Sequence, residues 1–315
     1  MADGAGRGPV LDIEDLCVEL SIGGTWVPAL TSVSLTIRRG EVLGLVGESG
    51  SGKSLTALSI AGLLPDNARV VGGAIRLNGD EVLGRTEPEL NRLRARSVAL
   101  VFQNPTSYLN PVLTVGDQIA EIFDLSPELL GAAGQDAPRS RRARRREAWR
   151  RSVEALRLVR IPDPDRVAAR YPFELSGGMQ QRAVIAMALV RQPDLVIADE
   201  ITTALDVTVQ AQILSLLSEL RRTIGMTLLL ITHDMGIVAQ LADRVAVMYS
   251  GSVVESSDVG SLFRAPRHPY SRALLETVPT IHGARTVFRP IPGAMPALTD
   301  PPPGCRFHPR CPEAL

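Results

Sequence analysis

The sequence predicts an α/β fold: a mostly parallel sheet with helices on its faces, an antiparallel β-subdomain, a helical subdomain and a C-terminal extension. Three observations predict it. A glycine-rich turn, Gly47-Glu48-Ser49-Gly50-Ser51-Gly52-Lys53-Ser54, stands between an apolar run of strand length, Glu41–Val46, and an apolar helical run, Leu55–Leu64. Two later apolar runs, Leu195–Ala198 and Thr227–Ile231, are separated by a helical pattern over Val207–Arg222. Strand and helix alternating in this way place parallel strands under covering helices. Residues 11–37, by contrast, alternate apolar and polar, as half-buried antiparallel strands do.

The elements follow in order. Leu11, Ile13, Leu16, Val18 and Leu20, then Val33, Leu35 and Ile37, carry the period-2 pattern. A similar piece, Gly73–Gly79, closes on an Asn-Gly turn. Val98–Phe102 reads as a buried strand that runs into Gln103, and residues 114 to 170 turn helical. The main domain is expected over 10–255, its helical subdomain over about 105–190, and the proline-rich extension over 256–315. No internal repeat appears, so one such unit is expected.

With 315 residues the chain can bury a sizeable core. Its 34 basic and 34 acidic residues cancel, which argues against the global positive field of a nucleic-acid binder. Three cysteines do not make a disulfide scaffold and fit a reducing compartment. No apolar signal core opens the sequence, and no run approaches the ~20 apolar residues that cross a bilayer. A cytoplasmic chain with at most a peripheral membrane role is expected. Residues 137–151 carry eight arginines, open to two readings: a contact for anionic lipid or an acidic partner, or a solvated helical surface.

The chemistry starts at the chain's one lysine, Lys53, among 34 basic residues. Residues Gly47 to Leu55 fit the phosphate-binding P-loop, whose glycines let successive N–H groups curl around a phosphate. Lysine adds a slim point charge for the terminal phosphates, where arginine's planar fork would fit differently. Ser54 offers a hydroxyl to Mg²⁺. Leu195-Val-Ile-Ala-Asp199-Glu200 is an apolar strand ending in two carboxylates: Asp199 suits Mg²⁺, and Glu200 suits the polarisation of an attacking water. Between them, Leu175-Ser176-Gly177-Gly178-Met179-Gln180-Gln181-Arg182 opens an alanine-rich helix and makes a second anion cradle.

That last string resembles the signature of ATP-binding cassette (ABC) transporter subunits, and the cassette resemblance covers residues of about 10–255. The resemblance implies two cassettes sandwiching two ATP molecules, with Ser176, Gly177, Gly178 and Gln180 reaching the partner's nucleotide. It implies that Gln103 senses Mg²⁺ and the γ-phosphate, that Asp206 crosses the dimer interface and that His233 contacts the γ-phosphate. Ile201 stands where many members have proline. Trp26 is the nearest candidate for stacking on adenine; packing in a turn of the β-subdomain is an equal reading. Further strings are similar to the oligopeptide/dipeptide permease subfamily: Gly47–Gly50, Asn104–Pro111, Thr202–Gln212, His268-Pro-Tyr270, Ile291-Pro-Gly293 and Gly304–Cys311. Some relatives carry an iron–sulfur cluster on a longer cysteine-rich tail. Since a [4Fe–4S] site takes about four thiolates, Cys305 and Cys311 are open to three readings: ligands of a cluster completed from elsewhere, a partial site for a cluster or another metal, or two free thiols.

These resemblances imply an ATP-hydrolysing subunit at the cytoplasmic face of the membrane that powers import of di- and oligopeptides. Its partners would be two transmembrane permease subunits, a second homologous ATPase subunit and, indirectly, an extracytoplasmic solute-binding protein. Alternatives are the same engine for nickel or another small solute, a non-transport ABC ATPase, and a binding-only cassette. About 120 residues separate Lys53 from Ser176 without sustained heptads, unlike chromosome-type relatives.

Overall fold

The computed structural model describes residues 8–102, 104–130, 140–201, 206–277 and 291–314. Along the chain come β1 (Leu11–Ile22), β2 (Thr25–Ile37), β3 (Val42–Val46), α1 (Lys53–Ala61), β4 (Ala68–Leu77), β5 (Asp80–Glu81), α2 (Glu87–Ser97) and β6 (Val98–Val101). Next are α3 (Val115–Leu125), α4 (Arg141–Leu158), α5 (Pro164–Ala168), α6 (Gly177–Leu189), β7 (Leu195–Asp199) and α7 (Val207–Ile224). The last are β8 (Leu228–Thr232), α8 (Met235–Leu241), β9 (Arg244–Tyr249), β10 (Ser252–Asp258), α9 (Val259–Arg264) and α10 (Pro269–Glu276). The chain divides into two units, one made of Met1–Arg92 with Gly225–Leu315, the other of Leu93–Ile224.

The first unit holds the antiparallel strands that the alternation predicts, in the order β2-β1-β4-β5. Leu11, Ile13, Leu16 and Val18 of β1 are buried, and β2 pairs Ile37 with Leu11 and Leu35 with Ile13, so one face of the pair lines a core. Asn78-Gly79 makes the tight turn between β4 and β5, with Asn78 at φ 52° and Gly79 at φ 87°. In the same unit β3 lies between β8 and β9, parallel to both, and β10 pairs antiparallel with β9. All five residues of β3 and of β8 are buried, the near-continuous apolar pattern of a sheet covered on both faces. Helix α1 begins two residues earlier than the apolar run suggests and stops where Gly62 takes a left-handed φ of 62°.

The C-terminal residues of this unit enter its core. Tyr249, Tyr270 and Phe307 meet with ring centroids 4.6–5.4 Å apart, packed with Val46, Val247, Leu262 and Leu274. Strand β10 runs continuously through position 255/256, where the sequence suggested that the extension begins. His268 caps α10: its Nδ1 accepts the Tyr270 N–H at 3.1 Å, while its backbone N–H donates to the Glu255 carboxylate at 2.9 Å.

Burial pushes the His268 imidazole below its ordinary value of 6.5, with Glu255 partly opposing. The fold therefore favours the neutral ring, which the cap requires. Above the unfolded value both states are neutral and this contribution is complete. As pH falls below it the unfolded chain takes up a proton that the fold refuses, and stability drops until the folded value is passed. Urea midpoints measured from about pH 8 to about pH 5 should decline, and His268→Asn, which keeps a cap acceptor, should flatten the upper part of that decline.

The second unit contains the parallel pair β6 and β7, with Val101 opposite Ala198, and the helices of the predicted helical subdomain. Thr114 caps α3 by accepting the Asp117 N–H at 3.2 Å. A methyl group on Gly116 would come 2.6 Å from the Trp149 ring, so glycine permits the close approach of α3 and α4. Arg182 of α6 donates to the carbonyls of Val159 and Arg160 at 3.0 and 3.4 Å, where a cation suits the C-terminal end of α4. Of the arginine-rich segment, residues 137–139 lie outside the described residues and the rest opens α4. Arg141, Arg142, Arg145 and Arg146 are exposed there, while Arg150 and Arg151 pair with Glu147. No helix among the described residues is long and apolar enough to cross a membrane.

Candidate nucleotide site

The turn after β3 is shaped by glycines at contact points. A Cβ on Gly47 would sit 2.1 Å from the Met248 carbonyl oxygen, and one on Gly52 would sit 2.7 Å from Leu30 and 2.8 Å from Met248 side-chain carbons. Gly50 and Gly52 hold φ values of 80° and 106°, which side-chain-bearing residues rarely adopt. Ser51 is fully buried, and its carbonyl accepts the Gly251 N–H at 2.8 Å. Gly251 was not predicted as part of the site, although its position after an apolar run in a Ser-Gly turn is a legible signal. A methyl there would meet the Ala29 carbonyl at 2.1 Å.

Lys53 is 6% exposed and folds its ammonium over this turn. Nζ donates to the carbonyls of Gly47 and Glu48 at 2.8 and 2.9 Å and to Ser51 Oγ at 3.4 Å. Helix α1 begins at Lys53 with no side-chain cap and no acidic residue in its first turn. Its N-terminal end, with Ser54 exposed on it and Leu55 half-buried, is therefore chemically suited to an anion. The residues at this helix start are of a kind that could hold a phosphate chain, and Ser54 could offer its hydroxyl to Mg²⁺.

His233 is exposed one residue beyond β8. Register brings it to the loop: Thr232 pairs with Val46, so the residues that follow both strands emerge side by side. The next residue, Asp234, caps α8 by accepting the Gly236 N–H at 2.7 Å and fixes the chain's exit from the strand.

In the second unit Asp199 ends β7 and is 8% exposed. Glu200 follows at φ 50°, a left-handed conformation that a non-glycine residue adopts at some cost, and Ile201 behind it is buried. The turn thus carries the two acids off the strand end in sequence. Gln103 lies outside the described residues, as do Thr202 to Leu205; Asp206 is exposed ahead of α7 and its carboxylate accepts the Val209 N–H at 3.0 Å. Ser176 and Gly177 are exposed at the start of α6, and a methyl on Gly178 would come 2.6 Å from Val209. Gln180 faces the other way. It is 8% exposed and donates to the Pro172 and Leu175 carbonyls at 2.8 and 3.3 Å, fixing the loop that presents Ser176.

Trp26 stands on β2 opposite Ser21, with the Arg69 guanidinium 4.2 Å above its ring. One face of the indole is thus occupied by a cation within the β-subdomain. Cys305 is exposed, and Cys311 is half-buried against the aromatic cluster. Cys17 sits apart on β1, where its sulfur accepts the Ser32 N–H at 3.3 Å. Among the described residues no group of three or more potential ligands gathers, and the chain's three cysteines fall short of a four-thiolate set. The residues present do not fit an iron–sulfur cluster.

A phosphate loop, a carboxylate pair at a strand end and a glycine signature at a helix start define an ATP-binding cassette. Residues 30–203 match the ABC transporter family, and the chain belongs to it. Residues 254–315 match the oligopeptide/dipeptide transporter C-terminal region. The chain is 48% identical over 308 residues to the oligopeptide transport ATP-binding protein OppD of Mycobacterium tuberculosis, covering 98% of this chain and 48% of that protein. It spans about half the length of that relative. It is 46% identical to the probable peptide ABC transporter ATP-binding protein y4tR of Sinorhizobium fredii (97% of this chain, 88% of that protein). For OppD of Salmonella typhimurium the identity is 44% (97% and 87%). Among solved structures, the ATP-binding cassette MJ0796 in a dimeric post-hydrolysis state bound to ADP and Pi aligns with a TM-score of 0.66 and 28% identity, over 79% of this chain and 98% of that one. The cbiO1 cassette of Clostridium perfringens, part of the ABC transporter complex cbiONQ, aligns at 0.67 and 25%, over 82% and 92%.

Proposed function

We propose that this chain is the ATP-hydrolysing subunit of a membrane importer of di- and oligopeptides. The observation that carries the reading is the combination of a complete set of nucleotide motifs with a C-terminal region of the oligopeptide/dipeptide type, packed into the core that holds the phosphate loop. Lys53 and the N–H groups of residues 47–55 would hold the phosphates. Mg²⁺, held by Ser54, Gln103 and Asp199, would neutralise charge on the terminal phosphates. Glu200 would orient water and accept its proton, and His233 would donate to the γ-phosphate oxygen. Ser176, Gly177 and Gly178 would complete the site of a second, homologous cassette, with Asp206 at the seam between them.

Exposed apolar side chains on the second unit support a protein partner in the membrane. Tyr108 is 49% exposed and stacks on Phe102 at 5.3 Å, Val112 is 74% exposed, and Phe173 is 71% exposed and stacks on Tyr171. One of the transporter's two permease subunits would dock here on the cytoplasmic face, with a solute-binding protein on the far side delivering the peptide.

Single-turnover hydrolysis of MgATP, with the chain alone and with a neighbouring cassette subunit, tests the engine. Turnover is expected to need the second chain and to fall at least ~100-fold in Glu200→Gln, with nucleotide binding retained. Tight binding without turnover in any combination would leave a binding subunit instead. Uptake of labelled peptides, but not of nickel, into vesicles holding the assembled transporter is the corresponding test of cargo.

A further inference from the structure

Glu48, the second residue of the phosphate loop, is held through all three of its polar groups. Its carbonyl accepts Lys53 Nζ at 2.9 Å and the Ser51 N–H at 3.2 Å. Its N–H donates to the Tyr270 hydroxyl at 2.9 Å. Its carboxylate receives both terminal nitrogens of Arg310, at 2.8 and 3.1 Å, in a fork-on-fork pair. Two of these three anchors come from the C-terminal region, 222 and 262 residues along the chain from Glu48.

The anchors are themselves fixed. Tyr270 is fully buried in the aromatic cluster, and burial pushes its phenol well above the ordinary value, so the hydroxyl stays neutral. The Arg310 side chain is 5% exposed; it also donates to the carbonyls of Pro292 and Ile291 at 2.8 and 3.2 Å and to the Tyr249 hydroxyl at 3.3 Å. Burial works against its charge, and Glu48 and Tyr249 more than offset that. Nearby, Arg306 donates to Thr31 Oγ1 at 2.8 Å and to the Ser250 carbonyl, and Met295 lies 3.0 Å from where a Gly50 Cβ would be.

We propose that Arg310 and Tyr270 are positioning residues for the nucleotide, holding the first turn of the phosphate loop in its phosphate-accepting shape and cancelling the Glu48 charge beside it. This rests on the reading of the loop as an ATP site. The electrostatic logic is simple. A carboxylate within the loop would repel an incoming polyphosphate, and the fork-on-fork pair with Arg310 neutralises that charge. A phosphate would also draw Lys53 Nζ off the Glu48 carbonyl, leaving Tyr270 and Arg310 to keep the turn in place. A C-terminal region so placed is part of the nucleotide site's scaffold.

The test is calorimetric titration of the full chain with MgATP, together with the KM and kcat of turnover. Arg310→Met is expected to raise Kd and KM about tenfold with little change in kcat, because it leaves an uncompensated carboxylate beside the phosphates. Tyr270→Phe, which keeps the ring and removes one oxygen, is expected to raise Kd by about threefold. The deciding variant is Glu48→Gln combined with Arg310→Met. Removing the stranded charge should recover most of the affinity lost in Arg310→Met, whereas a merely loosened tail would give additive losses. Arg272→Met, at an exposed pair with Glu313 on the same region, should leave Kd unchanged. Wild-type affinity in both Arg310→Met and Tyr270→Phe, or strict additivity in the double variant, overturns the proposal while leaving the ATPase reading intact. No MgATP binding by the wild-type chain overturns both.

Discussion

Lys53→Ala is expected to weaken MgATP binding by about a hundredfold and to remove turnover, and Lys53→Arg is expected to be nearly as damaging. The first expectation follows from charge: no other lysine exists in the chain, and this ammonium is nine-tenths buried against the loop that would hold the phosphates. The second follows from shape. Nζ sits within 2.8–3.4 Å of two carbonyls and one hydroxyl, in a turn closed by Ser51, Met248 and Leu30. A point donor on a slim stem fits that nest. A planar guanidinium, with its five donors spread in one plane, would leave several of them unsatisfied or force the turn open. Titration with MgATP and a single-turnover assay decide the matter. An arginine variant that binds and hydrolyses like the wild type would mean that only the charge is read there.

Phe307→Ala is expected to cost about 3–5 kcal/mol of stability. The ring is 1% exposed and lies 5.2 Å from Tyr249, 5.4 Å from Tyr270 and 5.9 Å from His268, so its removal leaves a cavity lined by three other rings. Phe173→Ala is the matched control, because that ring is 71% exposed. Its loss should fall within about 0.5 kcal/mol of zero. Urea midpoints for the two variants make the comparison. A shift for Phe307→Ala no larger than the control's would mean that the C-terminal residues rest on the surface of the unit instead of filling it.

Much of the fold was legible because its signals are local. The alternation of Leu11, Ile13, Leu16 and Val18 is the burial pattern of β1, and the apolar runs before Gly47, Asp199 and His233 are the buried strands β3, β7 and β8. Where the local signal fades, so does the reading. Helix α2 buries only Leu93 and carries no apolar stripe, and the first half of β4 alternates between half-buried and exposed without a clear apolar face. Strand β9 lies in an apolar run, Val245–Tyr249, as strong as that of β8, but it falls between the motif at His233 and the strings from His268 onward, so no motif points to it. The site divides the same way. Lys53, Asp199, Glu200 and Ser176 announce themselves by spacing, whereas nothing local says that Gln180 turns inward or that Arg69 covers Trp26. The pairing of Glu48 with Arg310 is invisible to any pattern, since it joins two strings 262 residues apart.

That separation in sequence has a consequence for how the protein is made. The unit with the phosphate loop is assembled from the two ends of the chain, and β3 finds its partners β8 and β9 only after residues 93–224 have been synthesised. At ribosomal speeds of roughly 5–20 residues per second, Glu48 leaves the ribosome roughly 13–50 s before Arg310 does. The N-terminal strands must therefore wait with an unfinished sheet edge, the condition under which nascent chains recruit chaperones or aggregate. Leu93–Ile224 is an uninterrupted stretch and can settle during that wait. The loop residue Glu48 thus gains its Tyr270 and Arg310 contacts only long after its own synthesis, which makes the finished phosphate loop a late product of folding.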